Sequence, residues 1–421
     1  MNMTFFSVFP SFSFRKRIFT SAHIIALPFP RERAIMPRLQ ITGMKAILAL
    51  ENGTIFEGTS FGAAGTVTGE LAFNTSVVGY QELITDPSWK GLFLTYTYSH
   101  IGSYGINEED NESDRPQAAA VIATELSRLH SNWRATESLS DWLARYDVPG
   151  IEGIDTRKLT LIIREQGSLR ACITTELSAE EAVAAAKAAP TLAGADLATQ
   201  VSTAAPYHWE GESRAWKLPN KSRGDLSYYT ELPAATRKSV VLDLGVQRSV
   251  LATLRRAGFD VTVVPAATTA EEILSMGADG LFVSHGPGDP AALSGVAAEV
   301  AKLIGKLPIY AMGLGHQVLA MALGCKTVKL PFGHHGGNYS VRDLRNDAVS
   351  ITTQNNYFAV DADSVCGDAV ITHTNLSDGT VAGVASKTAP AAGVQFLPVP
   401  PPSDASRTFA EFIDMVDSFK K

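Results

Sequence analysis

From Ser239 onward the chain alternates short apolar runs with stretches long enough for helices, and that rhythm leaves few folds open. VVLDL at 240–244 is followed by a helical pattern through Leu254, then VTVV at 261–264, a second helix, GLFVS at 280–284 and LPIYAM at 307–312. Strands that are apolar at nearly every position are buried on both faces, and strands alternating with helices of about ten residues or more make a doubly wound parallel sheet. Ligands in such sheets bind beyond the carboxyl ends of the strands. The loops after Ser284 and Met312 are therefore the candidate binding loops.

Ahead of this region, Met44 to about Thr175 alternates short β-rich runs, glycine-containing turns and two helical patterns, which predicts a compact mixed α/β domain. KAILALENGT at 45–54 reads as a strand running into a hairpin turn at Asn52-Gly53. A helix opens at Asp155 or Thr156, either of which can cap it, and its apolar spacing continues through Ile163. Residues 178–195 are Ala- and Glu-rich and read as helical, whereas 196–236 lose periodicity and gather Ser, Pro and scattered charge. The expected organisation is an extension over 1–43, an amino-terminal domain over 44–195, a linker over 196–236 and the parallel-sheet domain over 237–421. With 421 residues, two cores are the default expectation.

The extension is Phe-rich and basic, with Arg15, Lys16, Arg17, Arg31, Arg33 and Arg38 against one acid, Glu32. It reads either as an organelle-targeting segment or, the favoured reading, as translation from a misplaced start ahead of Met36 or Met44. It is expected to be unstructured, and the protein to be cytoplasmic. A formal charge of −7 gives no basic field for nucleic acid. No run approaches the roughly 20 apolar residues of a membrane span. Cys172, Cys325 and Cys366 are far apart, with no CxxC, so neither a disulfide framework nor a metal is expected.

The loop after Ser284 reads His285-Gly286-Pro287-Gly288-Asp289-Pro290, a rigid turn whose glycines let backbone N–H groups approach a ligand; taken alone it is a plain tight turn. The loop after Met312 reads Gly313-Leu314-Gly315-His316-Gln317 and runs into an apolar helix. A sharp strand-to-helix elbow is where α/β enzymes expose a nucleophile. This elbow holds none.

Together with FGHHGGN at 332–338, these loops resemble the class I glutamine amidotransferases, and within them the carbamoyl phosphate synthase small subunit. The resemblance extends through GELAFNTS at 69–76, GYQELITDPS at 79–88, SHIG at 99–102 and IDTRKLT at 154–160. It covers the chain from Met44 to its end. It implies an α/β protein made of that subunit's amino-terminal mixed domain and a carboxy-terminal doubly wound amidotransferase domain.

Three departures matter. The family pattern G-I-C-L-G-H-Q reads AMGLGHQ at 311–317, which puts Gly313 where the thiolate belongs. The pattern Q-G-H-P-E reads QFLPV at 395–399, leaving Leu397 at the base position and Val399 at the orienting carboxylate position. The glutamine-contacting run Q-N-H-G-F reads QNNYF at 354–358, so Tyr357 stands where the family keeps glycine. Amide hydrolysis by this mechanism needs a thiolate, a base and oxyanion donors. Only the donors, by the family pattern the N–H groups of Gly286 and Leu314, are retained. Losing nucleophile and base costs about a factor of 10⁶, roughly 8 kcal/mol. Cys325 follows Gly313 by a whole helix, on the order of 15 Å, and cannot substitute. The cysteines are read as small core residues, and His316, His334 and His335 as loop-orienting groups.

By resemblance Ser88, Gly286, Gly288, Leu314, Gln317, Asn355, Tyr357 and Phe358 match positions that hold glutamine, and no metal site is expected. The resemblance further implies no cofactor in this subunit, with ATP and Mg on a large-subunit partner, in a heterodimer or a higher oligomer serving arginine or pyrimidine biosynthesis. The expected role is that of a small subunit whose own glutaminase half-reaction is lost, in a complex that runs on ammonia. A stand-alone binding or regulatory protein that kept the fold is the alternative, and an intact glutamine-hydrolysing enzyme is disfavoured for want of a nucleophile.

Overall fold

The computed structural model describes residues 43–211, 214–216, 229–397 and 405–420. The extension up to residue 42 lies outside them, as does Val399.

The first half closes a barrel from β1 (Lys45–Leu50), β2 (Ile55–Gly62), β3 (Thr66–Asn74), β4 (Leu92–Tyr96), β5 (Ala120–Ile122), β6 (Pro149–Glu152) and β7 (Arg170–Thr174), in the order β1-β2-β6-β5-β4-β3-β7. The β1–β2 hairpin turns at Asn52-Gly53, as expected, with Gly53 at φ 90°. Side chains alternate across each strand. Ala46, Leu48 and Leu50 join Phe93, Ile151 and Ile173 in one apolar cluster, whereas Ala49 and Cys172 face the opposite way, toward Ala182 and Ala186 of the helix Ala179–Ala188. Small residues on both sides let that helix lie close to the strands. Its start is a capping box in which Ser178 and Glu181 satisfy each other's backbone N–H groups. The helix Thr156–Gln166 is capped by Asp155, whose carboxylate accepts the Lys158 N–H at 2.8 Å, and buries Leu159 and Ile163.

The second half carries a ten-stranded sheet among the described residues. Its strands are β8 (Tyr207–His208), β9 (Arg237–Asp243), β10 (Phe259–Pro265), β11 (Gly280–Val283), β12 (Ile309–Met312), β13 (Thr327–Asp343), β14 (Val349–Val360), β15 (Ala369–Asn375), β16 (Val381–Ser386) and β17 (Ala391–Val394). The order is β8-β10-β9-β11-β12-β17-β16-β15-β13-β14, with β10, β9, β11, β12 and β17 mutually parallel. Both faces are covered, as the apolar runs require. Leu242, Leu281, Val283 and Ile309 pack against the helices Ser294–Leu303 and Leu314–Ala322; Val241, Phe282 and Tyr310 pack against Arg248–Arg256 and the carboxy-terminal helix Ala405–Phe419. Within 196–236, Tyr207–His208 adds an antiparallel edge strand to β10.

The barrel and the sheet belong to one compact unit from Gly43 onward. Contacts on two sides help to join them. On one side Glu112, from the barrel half, accepts the Arg248 N–H with its carbonyl and the Ser249 N–H with its carboxylate. That supplies the cap Gln247 does not give to the helix Arg248–Arg256. On the other side the β13–β14 hairpin reaches over to the barrel, where the Ser168 N–H donates to Pro331 O at 2.7 Å and Lys329 pairs with Glu70.

Candidate functional site

The chain leaves β12 at Met312, turns at Gly313 and enters the helix Leu314–Ala322 at once. Gly313 adopts φ 56° and ψ −118°. That backbone is strained for any residue with a Cβ and is free for glycine. The elbow is pinned by the Gly313 N–H donating to Val394 O at 2.9 Å. A Cβ at Gly313 would stand 2.7 Å from the His285 Cβ, nearer than unbonded carbons approach. The next loop is packed just as tightly: a Cβ on Gly286 would fall 1.8 Å from Leu244 O, so only glycine fits there.

Around the elbow lies a cavity of about 30 Å³, on the order of the volume one water molecule occupies. All eight residues matched to glutamine-holding positions line it: Ser88, Gly286, Gly288, Leu314, Gln317, Asn355, Tyr357 and Phe358. Lys90, Leu92, Leu192, Pro287, His335 and Asn356 complete the wall. Of these six, Lys90, Leu92 and Leu192 lie outside every motif quoted above. Leu192, for example, is brought in because the buried Glu70 carboxylate accepts its N–H at 2.6 Å, a contact 122 residues apart in sequence.

Most polar groups of the wall are already satisfied by each other. The Gln317 amide donates to Phe358 O at 2.6 Å and to Gln395 Oε1 at 2.7 Å, which uses both its hydrogens. Asn355 donates to Asp86 Oδ2 at 3.0 Å and accepts from His335 Nδ1 at 2.6 Å, a tautomer assigned from its partner. His335 Nε2 and Asn356 Oδ1 are left buried without partners. Tyr357 is 5 % exposed, and its hydroxyl leaves the cavity to donate to Leu71 O on β3, with Ser168 Oγ at 3.2 Å.

The histidines around the site are held neutral. Burial pushes His335 down to about 4 and His316 to about 3, against which their bonds to Asn355 and Gln395 act only in part. Burial lowers His285 as well. The His285 Nε2 accepts the Gln247 N–H at 3.2 Å, while its Nδ1 is buried without a partner. His334 faces away, pairing with Asp378 at 2.7 Å. Leu397 lies 8 % exposed in the apolar cluster of Met312 and Val394, its N–H on Thr353 O at 2.8 Å. Cys325 is buried in a separate cluster with Val360 and Val384, and Cys172 is buried too, but Cys366 is exposed, against the expectation that all three are core residues. Among the described residues no group of three or more His, Cys, Asp or Glu could hold a metal, and no helix is long and apolar enough to cross a membrane.

Comparison with known proteins follows the same division of the chain. The family model for the carbamoyl-phosphate synthase small chain, CPSase domain, matches residues 48–173, and that for class I glutamine amidotransferase matches residues 240–415. The chain is similar to the carbamoyl phosphate synthase small chain of Akkermansia muciniphila, 48% identical over 380 residues, covering 90% of this chain and 99% of that protein. The same-named protein of Syntrophotalea carbinolica is 45% identical over 378 residues, covering 89% and 98%. That of Salmonella typhimurium is 43% identical over 384 residues, again covering 89% and 98%.

Proposed function

Since the chain belongs to the carbamoyl phosphate synthase small-chain family, we propose that it serves as the small subunit of that ligase with its own glutaminase half-reaction lost. The observation that carries this reading is the elbow. Gly313 offers no nucleophile, and the space in which one would stand is taken by the His285 Cβ. Leu397 has no proton to exchange and is embedded in the apolar core. His285, which packs on the elbow, and His316 and His335 are all buried, and their lowered pKa values make them weak proton acceptors.

On this reading the assembly of carbamoyl phosphate from bicarbonate, ammonia and ATP, with its magnesium, falls to a large subunit, and this chain acts as its structural and regulatory partner. The stand-alone sensor is less well supported. A cavity of about 30 Å³ is far below the roughly 300 Å³ at which small-molecule sites begin.

The test is to assay the purified small and large subunits together. Carbamoyl phosphate should form from ammonium and not from glutamine, with no ammonia released from glutamine above background. Glutamine turnover by the unmodified pair would sink the reading.

A further inference from the structure

We propose that Tyr357 is a tethered occupant of the cavity: its ring takes the volume an amide-bearing amino acid would need, and its hydroxyl fastens the sheet half of the molecule to the barrel. The inference rests on the reading above that no glutamine chemistry is left at this site, and it adds what has replaced the ligand.

Four observations carry it. First, the ring forms part of the cavity wall yet belongs to the barrel's own apolar cluster, with Trp89, Leu92 and Ile84. Second, the surroundings fit the ring. Gly333 stands at φ 70°, and a Cβ there would meet Tyr357 Cδ1 at 3.2 Å and His335 Nε2 at 2.5 Å, so glycine is what makes room. The His335 ring tilts against the phenol at 4.7 Å between centroids, and Lys329 Nζ stands 5.9 Å over its face. Third, the hydroxyl is anchored: it donates to Leu71 O beside Ser168 Oγ, so the buried phenol is not left unpaired. Fourth, the groups that would otherwise recognise an amide, Gln317 and Asn355, are turned onto protein partners. A pocket emptied only by loss of its catalytic side chains would keep its volume and leave those groups open. Here the volume is filled and most of the polar groups are spent.

The experiment titrates L-glutamine calorimetrically into the full-length protein, wild type beside Tyr357→Gly, Tyr357→Ala and Tyr357→Phe, with folding checked by circular dichroism. Removing the ring should create saturable binding at least about tenfold tighter than wild type, with a Kd near or below about 1 mM. Tyr357→Phe keeps the ring and should not bind. It should, however, raise hydrogen exchange at the β3 amides and in the β13–β14 hairpin about fivefold, the equivalent of one lost hydrogen bond. Wild type binding as tightly as the Gly or Ala variant, or both variants folding without binding, would overturn the proposal, as would a Tyr357→Phe protein with unchanged exchange. If neither the Gly nor the Ala variant folds, the wild-type titration and the Phe variant still decide it. Ammonia release by the wild-type complex would instead overturn the loss of the glutaminase, and is measured separately.

Discussion

His335 carries a cost that only acid reveals. It is 2 % exposed and its pKa is held near 4, so below about pH 6.5 the unfolded chain binds a proton that the folded one refuses. Stability contributed by the neutral ring is complete above that pH and drains away as pH falls toward 4, by on the order of 3 kcal/mol in all. Other buried groups titrate in the same window, His316 with the same sign and Glu112, raised to about 7, with the opposite one, so the difference between proteins is what reports on His335. From pH 7.5 to pH 5 the wild type should lose about 2 kcal/mol more than His335→Gln in urea unfolding, and equal changes in the two proteins would assign the pH dependence elsewhere. Gly313 makes the complementary point. Gly313→Cys places a side chain in a left-handed backbone and against His285, and should cost about 2 kcal/mol in chemical denaturation without returning glutamine hydrolysis. The triple variant Gly313→Cys, Leu397→His, Val399→Glu should also stay inactive on glutamine while Tyr357 remains; activity from the triple variant would mean that the cavity opens by itself. That the elbow carries glycine is written in AMGLGHQ. That His285 packs against it was not legible, because nothing in the spacing of His285 and Gly313 says that their loops touch.

The β13–β14 hairpin does most to join the two halves. Its strands, 17 and 12 residues long, deliver Lys329, Pro331, His335, Asn355 and Tyr357 to the barrel, with register shifts that accommodate the turn through Gly333. The start of the helix Thr156–Gln166 was legible, with Asp155 one of two candidate caps, whereas the helix expected over 178–195 ends at Ala188, ahead of Pro190. This hairpin was not legible as strand: its glycine-rich centre at 333–337 interrupts the alternation by which strands are recognised. Its energetic hold can be measured at Glu70, 3 % exposed, which accepts from Lys329, Ser168 and the Leu192 N–H. Glu70→Gln should destabilise the protein by about 2 kcal/mol, less than a fully buried pair would lose because Lys329 keeps some water. A loss below about 0.5 kcal/mol would mean that this network merely decorates the interface.

For the molecule as a whole, the parallel sheet followed from its apolar runs, but the closed barrel did not. Its strand order β1-β2-β6-β5-β4-β3-β7 depends on pairings between distant segments that no local pattern encodes. The shared cluster of Tyr357 and Phe358 with Trp89 predicts that barrel and sheet melt together. Calorimetry should show one transition, which Tyr357→Ala would broaden or split; two transitions in the wild type would show that the halves are energetically separate. The packing at the elbow also bears on descent. Single substitutions meet this packing one at a time: a cysteine at 313 meets the His285 Cβ, and a glycine at 357 gives up the anchor to Leu71 without supplying a nucleophile. On the reading proposed above, each such change taken alone brings only a loss, so the fold acts as a ratchet against gaining glutamine chemistry one substitution at a time.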